Sequence, residues 1–284
     1  MSNEREQDFI FTDADFRRVV NIIYARAGIR LNESKQSMVY SRLARRLRAL
    51  NLEKFSDYLN FLEAEPKHEE WQQFTNALTT NLTFFFREKH HFEMLSDQLH
   101  KLHGPVRIWC SASSTGEEPY SLAMTAVEAY GRLRPEVEII ASDLDTHVLS
   151  KAKNGIYSMD KLDKVSPERC KTFFLKGKGE NIGQARVRKE LREMIEFKQI
   201  NLLAHSWPLT PYFDAIFCRN VMIYFDQATQ RVMLEKMGRL LKPNGLLYVG
   251  HSENLHHMSE WFHSCGKTVY RLTDKAIHEW GLSK

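Results

Sequence analysis

The sequence lacks several features that would assign a protein to a class at once. It has only four cysteines in 284 residues, and no two of them form a C-x-x-C pair, so neither a disulfide framework nor a metal site is expected. No apolar run approaches membrane-spanning length, and the first residues, MSNEREQDF, lack the apolar core of a secretory signal. The net charge of +4 is too small to indicate general nucleic-acid binding. These absences predict a cytoplasmic globular protein that contains no metal.

The chain divides into two regions of different character. In the first, apolar residues recur at helical intervals, with breaks at Gly28, Asn51 and Pro66, which predicts a small all-helical domain over residues 1–82. In the second, helical stretches alternate with short apolar runs, which are VRIWC, VEIIAS, MIEFKQI, FDAIFC, GLLYVGH and TVYRL. This alternation predicts an α/β domain over residues 83–284, with a mostly parallel sheet and ligands at the carboxyl ends of its strands.

The turn at residues 112–121, ASSTGEEPYS, lies between the first of these strands and a helical pattern. A strand, a turn and a helix N-terminus in this order usually bind phosphate, but this turn has one glycine and two adjacent carboxylates, Glu117 and Glu118. A purely structural interpretation also exists, since Thr115 and Glu118 fit a capping box and Pro119 would make Glu118 an N-cap. Either way, the carboxylates disfavour a phosphate ligand.

Polar residues follow the second, third and fourth strands where each ends: Asp143, Asn201, Arg219, Asn220 and Tyr224. Asp143 lies where dinucleotide folds place a carboxylate on ribose hydroxyls, whereas Asp145 is better explained as the cap of the next helix. The amide of Asn201 could bind the edge of an adenine. Each also has a structural alternative: Asn201 could only hold a turn, Arg219 could pair with a carboxylate, and Tyr224 could be a core ring.

Together these residues describe a particular ligand. A carboxylate for ribose and an amide for adenine indicate a nucleoside, and a glutamate in place of the phosphate site indicates that the other end of the ligand is cationic. S-adenosylmethionine has adenosine, no phosphate, a sulfonium and an ammonium. We therefore predict S-adenosylmethionine as the cofactor and S-adenosylhomocysteine as the product.

Seven segments resemble the chemotaxis receptor methyltransferases, the CheR family: TTNLTFFFRE, SASSTGEEPYS, ASDLDT, INLL, FDAIFCRNVMIYF, LLKPNGLLYVGHSENL and GKTVY. The resemblance implies a helical N-terminal domain and a Rossmann-like class I methyltransferase domain, with an inserted antiparallel β subdomain at about residues 172–196. It also implies methylation of glutamate side chains on cytoplasmic helices of chemoreceptors, at membrane receptor arrays. By motif, it assigns the cofactor contacts to Asn81, Thr83, Arg87, Glu118, Asp143, Asn201, Leu202, Arg219 and Asn220.

Methylation of a glutamate side chain needs no general base, because a carboxylate with a pKa of about 4.3 is ionised at neutral pH. The enzyme mainly has to align the carboxylate oxygen, the methyl group and the sulfur while excluding water. Arg87 and Tyr224 are our candidates for orienting the reactants, and Arg87 also for holding the cofactor's carboxylate. Alternatively, Arg87 could be a structural ion-pair partner.

The segment YSRLARRLRALN has the pattern of a helix with one apolar and one basic side. The apolar side has Leu43, Leu47 and Leu50, and the basic side has Arg42, Arg45 and Arg46, with Lys35 two turns back. Most such basic faces are only solvated. Since the implied substrate is an acidic helical bundle, we predict that this face docks the receptor.

The segment TFFLKGKGENIGQARVRKELREMIEF forms the predicted insertion, in which TFFLKG, ARVRK and MIEF are expected to be short antiparallel strands. A strand edge can bind an extended peptide. In family members with a turn resembling GKGENIG, this subdomain binds a receptor C-terminal tail that ends in an aromatic pentapeptide, which assigns tail binding to Gly177, Gly179, Gly183, Arg186 and Arg188. A flap that only improves solubility is the alternative.

Two other functions compete with this interpretation. An RNA or DNA methyltransferase could use the arginine-rich helix on phosphates, and Cys218 could then attack a base, although a cysteine in AIFC is more often a buried apolar residue. The sequence lacks the Asp/Asn-Pro-Pro-aromatic motif of amino methylation. A binding module that only senses the cofactor is the second competitor, and the complete set of contact residues argues against it.

Overall fold

The computed structural model describes residues 8–282. The N-terminal residues on which the absence of a secretory signal was argued lie mostly outside this range. The chain forms two compact units, Met1–Thr80 and Asn81–Lys284. None of the helices in the described part is both long and apolar enough to cross a membrane.

The described part of the first unit is helical, as predicted. Its α-helices are Asp13–Ala27 (α1), Gln36–Leu50 (α2), Phe55–Ala64 (α3) and Glu70–Leu78 (α4), and a 3-10 turn, Glu33–Lys35, precedes α2. Helices α1 and α2 end at Gly28 and Asn51, both of which adopt the left-handed conformation that ends helices. The apolar faces of these helices meet in a core that includes Val19, Leu43 and Phe74. The predicted breaks at Gly28 and Asn51 are therefore confirmed.

The second unit alternates helices and strands. Its helices are His90–Leu99 (α5), Glu117–Tyr130 (α6), Thr146–Asn154 (α7), Pro167–Phe173 (α8), Lys189–Glu193 (α9), Gln227–Leu240 (α10) and Asp274–Glu279 (α11). Its strands are Val106–Cys110 (β1), Val137–Asp143 (β2), Ile156–Ser158 (β3), Phe174–Lys176 (β4), Gln184–Val187 (β5), Ile195–Gln199 (β6), Phe213–Cys218 (β7), Leu241–Val249 (β8), Phe262–Gly266 (β9) and Val269–Leu272 (β10). Short 3-10 helices lie at Met159–Leu162, Gly179–Asn181, Met222–Tyr224 and His256–Met258.

Seven strands form the main sheet in the order β6-β2-β1-β7-β8-β10-β9. The first five pair in parallel, and β10 runs antiparallel to both β8 and β9. Alternate residues of a strand enter different cores: Ile108 and Cys110 join one apolar cluster, and Trp109 joins the other. This is a Rossmann-like fold, in which the strand order reverses between β1 and β7 and a ligand crevice is expected at that point.

The small sheet has the order β3-β5-β4 and is antiparallel. The run MIEFKQI was predicted as a main-sheet strand, and this is confirmed; its part MIEF was also predicted as a strand of the insertion, and this was wrong, because Ile195–Gln199 pairs in parallel with β2. The third strand of the small sheet is instead β3, which precedes the predicted insertion. It has only three residues, two of them exposed, so its sequence contains no apolar run that could have revealed it.

Candidate functional site

The predicted cofactor residues lie at or just beyond the carboxyl ends of β1, β2, β6 and β7, and in the segment before α5. Glu118 is in the first turn of α6, and Asp143 is the last residue of β2. These four strands are neighbours in the sheet. The loops that follow them therefore meet at one edge of the sheet, beside the reversal of strand order.

Gly116 begins helix α6 and has a φ of 98°, a conformation that favours glycine. A Cβ there would lie 2.8 Å from the Tyr157 hydroxyl oxygen and 2.9 Å from the Ala152 Cβ. The capping-box interpretation was wrong, because Gly116 is the N-cap and the Thr115 hydroxyl donates to the neighbouring Glu117, at 2.6 Å. Glu118 is consequently not used in capping.

Arg219 joins two carboxylates at the reversal of strand order. Its side chain is fully buried and forms ion pairs with Glu118 and, at 3.2 Å, with Glu88. It also donates to the carbonyl oxygen of Arg87, and the Cys110 thiol donates to Glu118 at 3.2 Å. One guanidinium thus faces two carboxylates, and the excess negative charge favours a cationic ligand. This pairing also agrees with the alternative interpretation of Arg219 as a partner for carboxylates.

Glu88 was missed by the sequence analysis. It has a left-handed backbone, with a φ of 57°, and accepts hydrogen bonds from the His251 Nδ1 at 2.9 Å, the His251 backbone N–H at 3.1 Å and the Asn220 amide at 3.3 Å. Burial alone would raise the pKa of Glu88, but Arg219 and the bonds from His251 outweigh it and lower the pKa to about 2. Glu88 therefore connects three loops and is ionised at neutral pH.

Asp143 ends β2 and is held by two backbone N–H groups, from Ser114 at 2.8 Å and Asp145 at 3.0 Å. Burial raises the pKa of Asp143 to about 6, although these hydrogen bonds act in the opposite direction. Asp145 caps helix α7, as predicted. It also accepts a hydrogen bond of 2.9 Å from the amide of Asn81, which connects the segment before α5 to the end of β2.

The residues after β6 make local contacts. The Asn201 side-chain oxygen accepts the Leu203 backbone N–H at 2.9 Å, and the Asn201 carbonyl accepts the Trp207 indole N–H at 3.1 Å. This is the turn-holding role given as the alternative for Asn201. Leu202 is buried in the core and Thr83 is half-buried.

The two candidate orienting residues, Arg87 and Tyr224, are both half-buried. The guanidinium of Arg87 donates to the Leu82 carbonyl at 2.9 Å and lies 5.9 Å from the Phe84 ring centre. No carboxylate of residues 8–282 lies within ion-pairing distance of it, so the structural ion-pair alternative for Arg87 was wrong. Tyr224 ends the 3-10 helix Met222–Tyr224 and packs against an apolar cluster.

The basic side of α2 is less exposed than the helical pattern predicted. Arg42 donates to the carbonyl oxygens of Ala77 and Thr79, at 3.3 and 2.6 Å. Arg46 forms two hydrogen bonds, of 2.8 and 2.6 Å, with the buried Glu70. The prediction of one open basic face was wrong for these two arginines, because α2 packs against α4. Lys35 and Arg45 are exposed.

The small sheet has an exposed face and a constrained turn. A Cβ at Gly177 would lie 2.0 Å from the Asn181 carbonyl oxygen, so this position requires glycine, and Gly179 and Gly183 have φ values of 59° and 87°. On the sheet, Arg186 is exposed between its cross-strand neighbours Ile156 and Leu175, whereas Arg188 is half-buried.

Glu88, His90 and His91 form a cluster whose possible metal-ligand atoms lie within 4.8 Å of one another. The Glu88 carboxylate in this cluster already binds Arg219 and His251, and a metal ion would have to compete with that guanidinium. The expectation that the protein uses no metal stays a prediction.

Comparisons with known proteins assign the chain to a family. Residues 81–271 match the domain described as "CheR methyltransferase, SAM binding domain", and residues 14–79 match "CheR methyltransferase, all-alpha domain". The chain is 53% identical over 268 residues to the chemotaxis protein methyltransferase 2 of Pseudomonas aeruginosa, covering 93% of this chain and 95% of that protein. It is 50% identical over 271 residues to the chemotaxis protein methyltransferase of Salmonella typhimurium, covering 95% and 94%. The chain therefore belongs to the CheR methyltransferase family.

Proposed function

We propose that the chain transfers a methyl group from S-adenosylmethionine to glutamate side chains of chemoreceptors, giving glutamate methyl esters and S-adenosylhomocysteine. The observation that carries this proposal is the position of Glu118 and its partner Arg219, at the turn where a nucleotide-binding fold would hold phosphate. A site with excess negative charge suits a cofactor that has a sulfonium and an ammonium. This is the function expected of a CheR methyltransferase.

The cofactor would lie along the carboxyl edge of the main sheet. Asp143 would accept the ribose hydroxyls, and Asn201 with Leu202 would contact the adenine. The methionine end would lie near Glu118, Arg219 and Asn220, with Asn81, Thr83 and Arg87 covering it from the segment before α5. This assignment is supported by the strand order, because the strands at whose carboxyl ends most of these residues lie are neighbours in the sheet.

The proposed reaction is a single in-line displacement. An oxygen of the substrate carboxylate forms a bond to the methyl carbon as the carbon–sulfur bond breaks, and the electron pair of that bond stays on sulfur. No proton moves. Arg87, whose guanidinium has no paired carboxylate among the described residues, would hold the cofactor's carboxylate and orient the reactants together with Tyr224.

Two surfaces are proposed to bind the receptor. Lys35 and Arg45 are exposed on the helical unit and would meet an acidic helical bundle. Strand β4 is an edge of the small sheet, where Leu175 is 51% exposed, and in the adjoining turn Ile182 is 77% exposed. An extended receptor tail with an aromatic pentapeptide would pair with this edge, and Arg186 would lie beside it.

A nucleic-acid methyltransferase is disfavoured by the described residues as well as by the family. Cys218 is fully buried, and burial raises the pKa of its thiol well above the ordinary value, so it is a poor nucleophile. Arg42 and Arg46 of α2 already donate hydrogen bonds to Thr79 and Glu70 within the helical unit, so they are less available to bind phosphates. We place the protein in the cytoplasm, at chemoreceptor arrays, without nucleic-acid partners.

Transfer of a radiolabelled methyl group tests the activity. The full chain is incubated with labelled S-adenosylmethionine and either a receptor cytoplasmic fragment or total RNA. We expect label on the receptor that alkali releases as methanol, as for a carboxyl ester, and none on RNA. A receptor fragment with its glutamates replaced by alanines is the control. Alkali-stable label, or label on RNA, would reject the proposal.

Receptor fragments with and without a tail separate the two surfaces. Replacing Lys35 and Arg45 by glutamate should slow methylation of both fragments, and added salt should slow the wild type similarly. Leu175→Asp should abolish binding of a tail peptide but leave the tailless fragment unaffected. Arg132→Glu combined with Lys275→Glu, two exposed charge reversals elsewhere, is the control with the same change in net charge. Unchanged peptide affinity in Leu175→Asp would contradict the tail site.

A further inference from the structure

Glu253 is a buried carboxylate in the loop after β8, only 5% exposed. Its two oxygens accept four backbone N–H groups. One oxygen accepts those of Gly250 at 2.6 Å and Asn220 at 2.9 Å, and the other accepts those of Met222 at 2.8 Å and Ile223 at 3.3 Å. Three of these four donors belong to the loop after β7, so one side chain holds that loop to the next.

The loop held by Glu253 runs from Arg219 to Tyr224 and contains the residues proposed to contact cofactor and substrate. Asn220 adopts a left-handed backbone with a φ of 57°, a conformation that is uncommon outside glycine although asparagine tolerates it better than most residues. Since the loop lies between β7 and α10, its N–H groups have no strand partner. The carboxylate of Glu253 supplies the missing acceptors.

Gly250 shows how closely the two loops approach. A Cβ at this position would lie 2.4 Å from the Asn220 amide nitrogen and 2.8 Å from the Glu253 carboxylate oxygen. Both residues would have to move to admit a side chain. The contact between Glu253 and the backbone of the loop is therefore tightly packed as well as hydrogen-bonded.

We propose that Glu253 is a positioning residue for methyl transfer, which fixes the loop 219–224 so that Arg219 and Asn220 meet the cofactor and Tyr224 meets the reactants. This inference rests on the proposed function of the same site. Glu253 itself contacts backbone groups and not the reacting atoms. Loss of the Glu253 carboxylate should leave the overall fold intact, but the backbone of the loop 219–224 should become more mobile.

Asp214 provides a matched control. It is also a buried carboxylate, 3% exposed, and it also accepts a backbone N–H, that of Arg107 at 2.9 Å, together with the Lys242 ammonium at 2.8 Å. It lies near the beginning of β7, however, whereas the loop held by Glu253 follows the end of β7. Asp214→Asn should therefore reduce stability without changing the cofactor site.

The experiment compares Glu253→Gln, Asp214→Asn and the wild type, each as the full chain and well below its melting temperature. Glutamine keeps the size of the side chain but replaces one acceptor oxygen by an NH₂ donor, so two of the four N–H groups lose their acceptor. We expect about tenfold weaker binding of S-adenosylhomocysteine by calorimetry and about tenfold lower kcat for Glu253→Gln, and less than twofold changes for Asp214→Asn. Amide exchange should accelerate at residues 220–223 only in Glu253→Gln.

Glu253→Gln with wild-type affinity, kcat and amide exchange would overturn the inference, as would equal kinetic losses in Asp214→Asn. If Glu253→Gln does not fold, Gly250→Ala perturbs the same contact and is judged by the same measurements. If the wild type itself fails to bind S-adenosylhomocysteine, the proposed function fails, which is a different result from equal binding by wild type and variant.

Discussion

The affinity for S-adenosylhomocysteine should fall as the pH is lowered from 8 to 5, because Asp143 loses its charge in this range. Burial raises the pKa of Asp143 to about 6 in the ligand-free protein. In the proposed site, the ribose hydroxyls donate hydrogen bonds to this carboxylate, so the ligand prefers the ionised form. The affinity for S-adenosylhomocysteine is therefore highest well above pH 6, where Asp143 is fully ionised, and it decreases as the pH falls through that value.

The size of the effect follows from the ionised fraction. With a pKa of about 6, Asp143 is about 99% ionised at pH 8, half ionised at pH 6 and about one tenth ionised at pH 5. If only the ionised form binds, the apparent Kd rises about twofold at pH 6 and about tenfold at pH 5, a loss of about 1.4 kcal/mol.

Calorimetric titrations at half-unit pH intervals measure this dependence. Asp143→Asn is the control, since asparagine keeps the shape but cannot titrate. At each pH the Kd of Asp143→Asn is divided by the Kd of the wild type. Contributions from the ligand's own ionisation and from other groups of the site affect both values and therefore cancel. The Kd of Asp143→Asn divided by that of the wild type should be constant above about pH 7 and should then fall with pH, by about twofold at pH 6 and about tenfold at pH 5. A ratio that does not change with pH would refute the placement of the ribose on Asp143.

Three further changes test other parts of the molecule. Tyr224→Phe should lower kcat about tenfold while leaving the Kd for S-adenosylhomocysteine within about twofold, as expected if the hydroxyl acts mainly in the transition state; single-turnover kinetics measure this. Glu118→Gln should weaken S-adenosylmethionine more than S-adenosylhomocysteine, because only the former has a sulfonium charge; competition binding gives the ratio, and equal losses would contradict the charge argument. Arg46→Ala should lower the free energy of unfolding by about 3 kcal/mol in urea, because it leaves Glu70 buried without its cation, while the exposed neighbour Arg45→Ala should change it by less than about 0.5 kcal/mol.

The elements of the fold were predictable where a local pattern determines them. Gly28 and Asn51 end helices because their backbones adopt the left-handed conformation. Strands β1, β2 and β7 are buried along almost their whole length, as expected where helices cover both faces of a sheet, so their sequences are mostly apolar runs. Once the strands are placed, the rule that ligands bind at their carboxyl ends locates Asp143 and Arg219 without any tertiary information.

The partners of these residues were not predictable, since they depend on contacts between distant parts of the chain. Glu88 forms an ion pair with Arg219, which is 131 residues away in the sequence, and Glu253 accepts a hydrogen bond from Asn220, which is 33 residues away. In each case the sequence shows only a charged residue in a polar loop, the pattern of a solvated side chain. Arg46 is similar, because its helical position suggests exposure and only the packing of α4 makes Glu70 its partner.

The charge balance of the site connects the fold to the proposed chemistry. Methyl transfer brings a cationic cofactor to an anionic nucleophile, so a strongly acidic site would repel the substrate and a neutral one would not favour the sulfonium. Arg219 offsets one of the two carboxylates that it joins. What remains is close to a single negative charge, and the guanidinium of Arg87 lies in the same segment as Glu88 without an ion-pair partner among residues 8–282. In the proposed mechanism, the Arg87 guanidinium donates hydrogen bonds to the carboxylate of the cofactor. The buried ion pairs of Arg219 keep their positions while the positive charge on the cofactor's sulfur is neutralised.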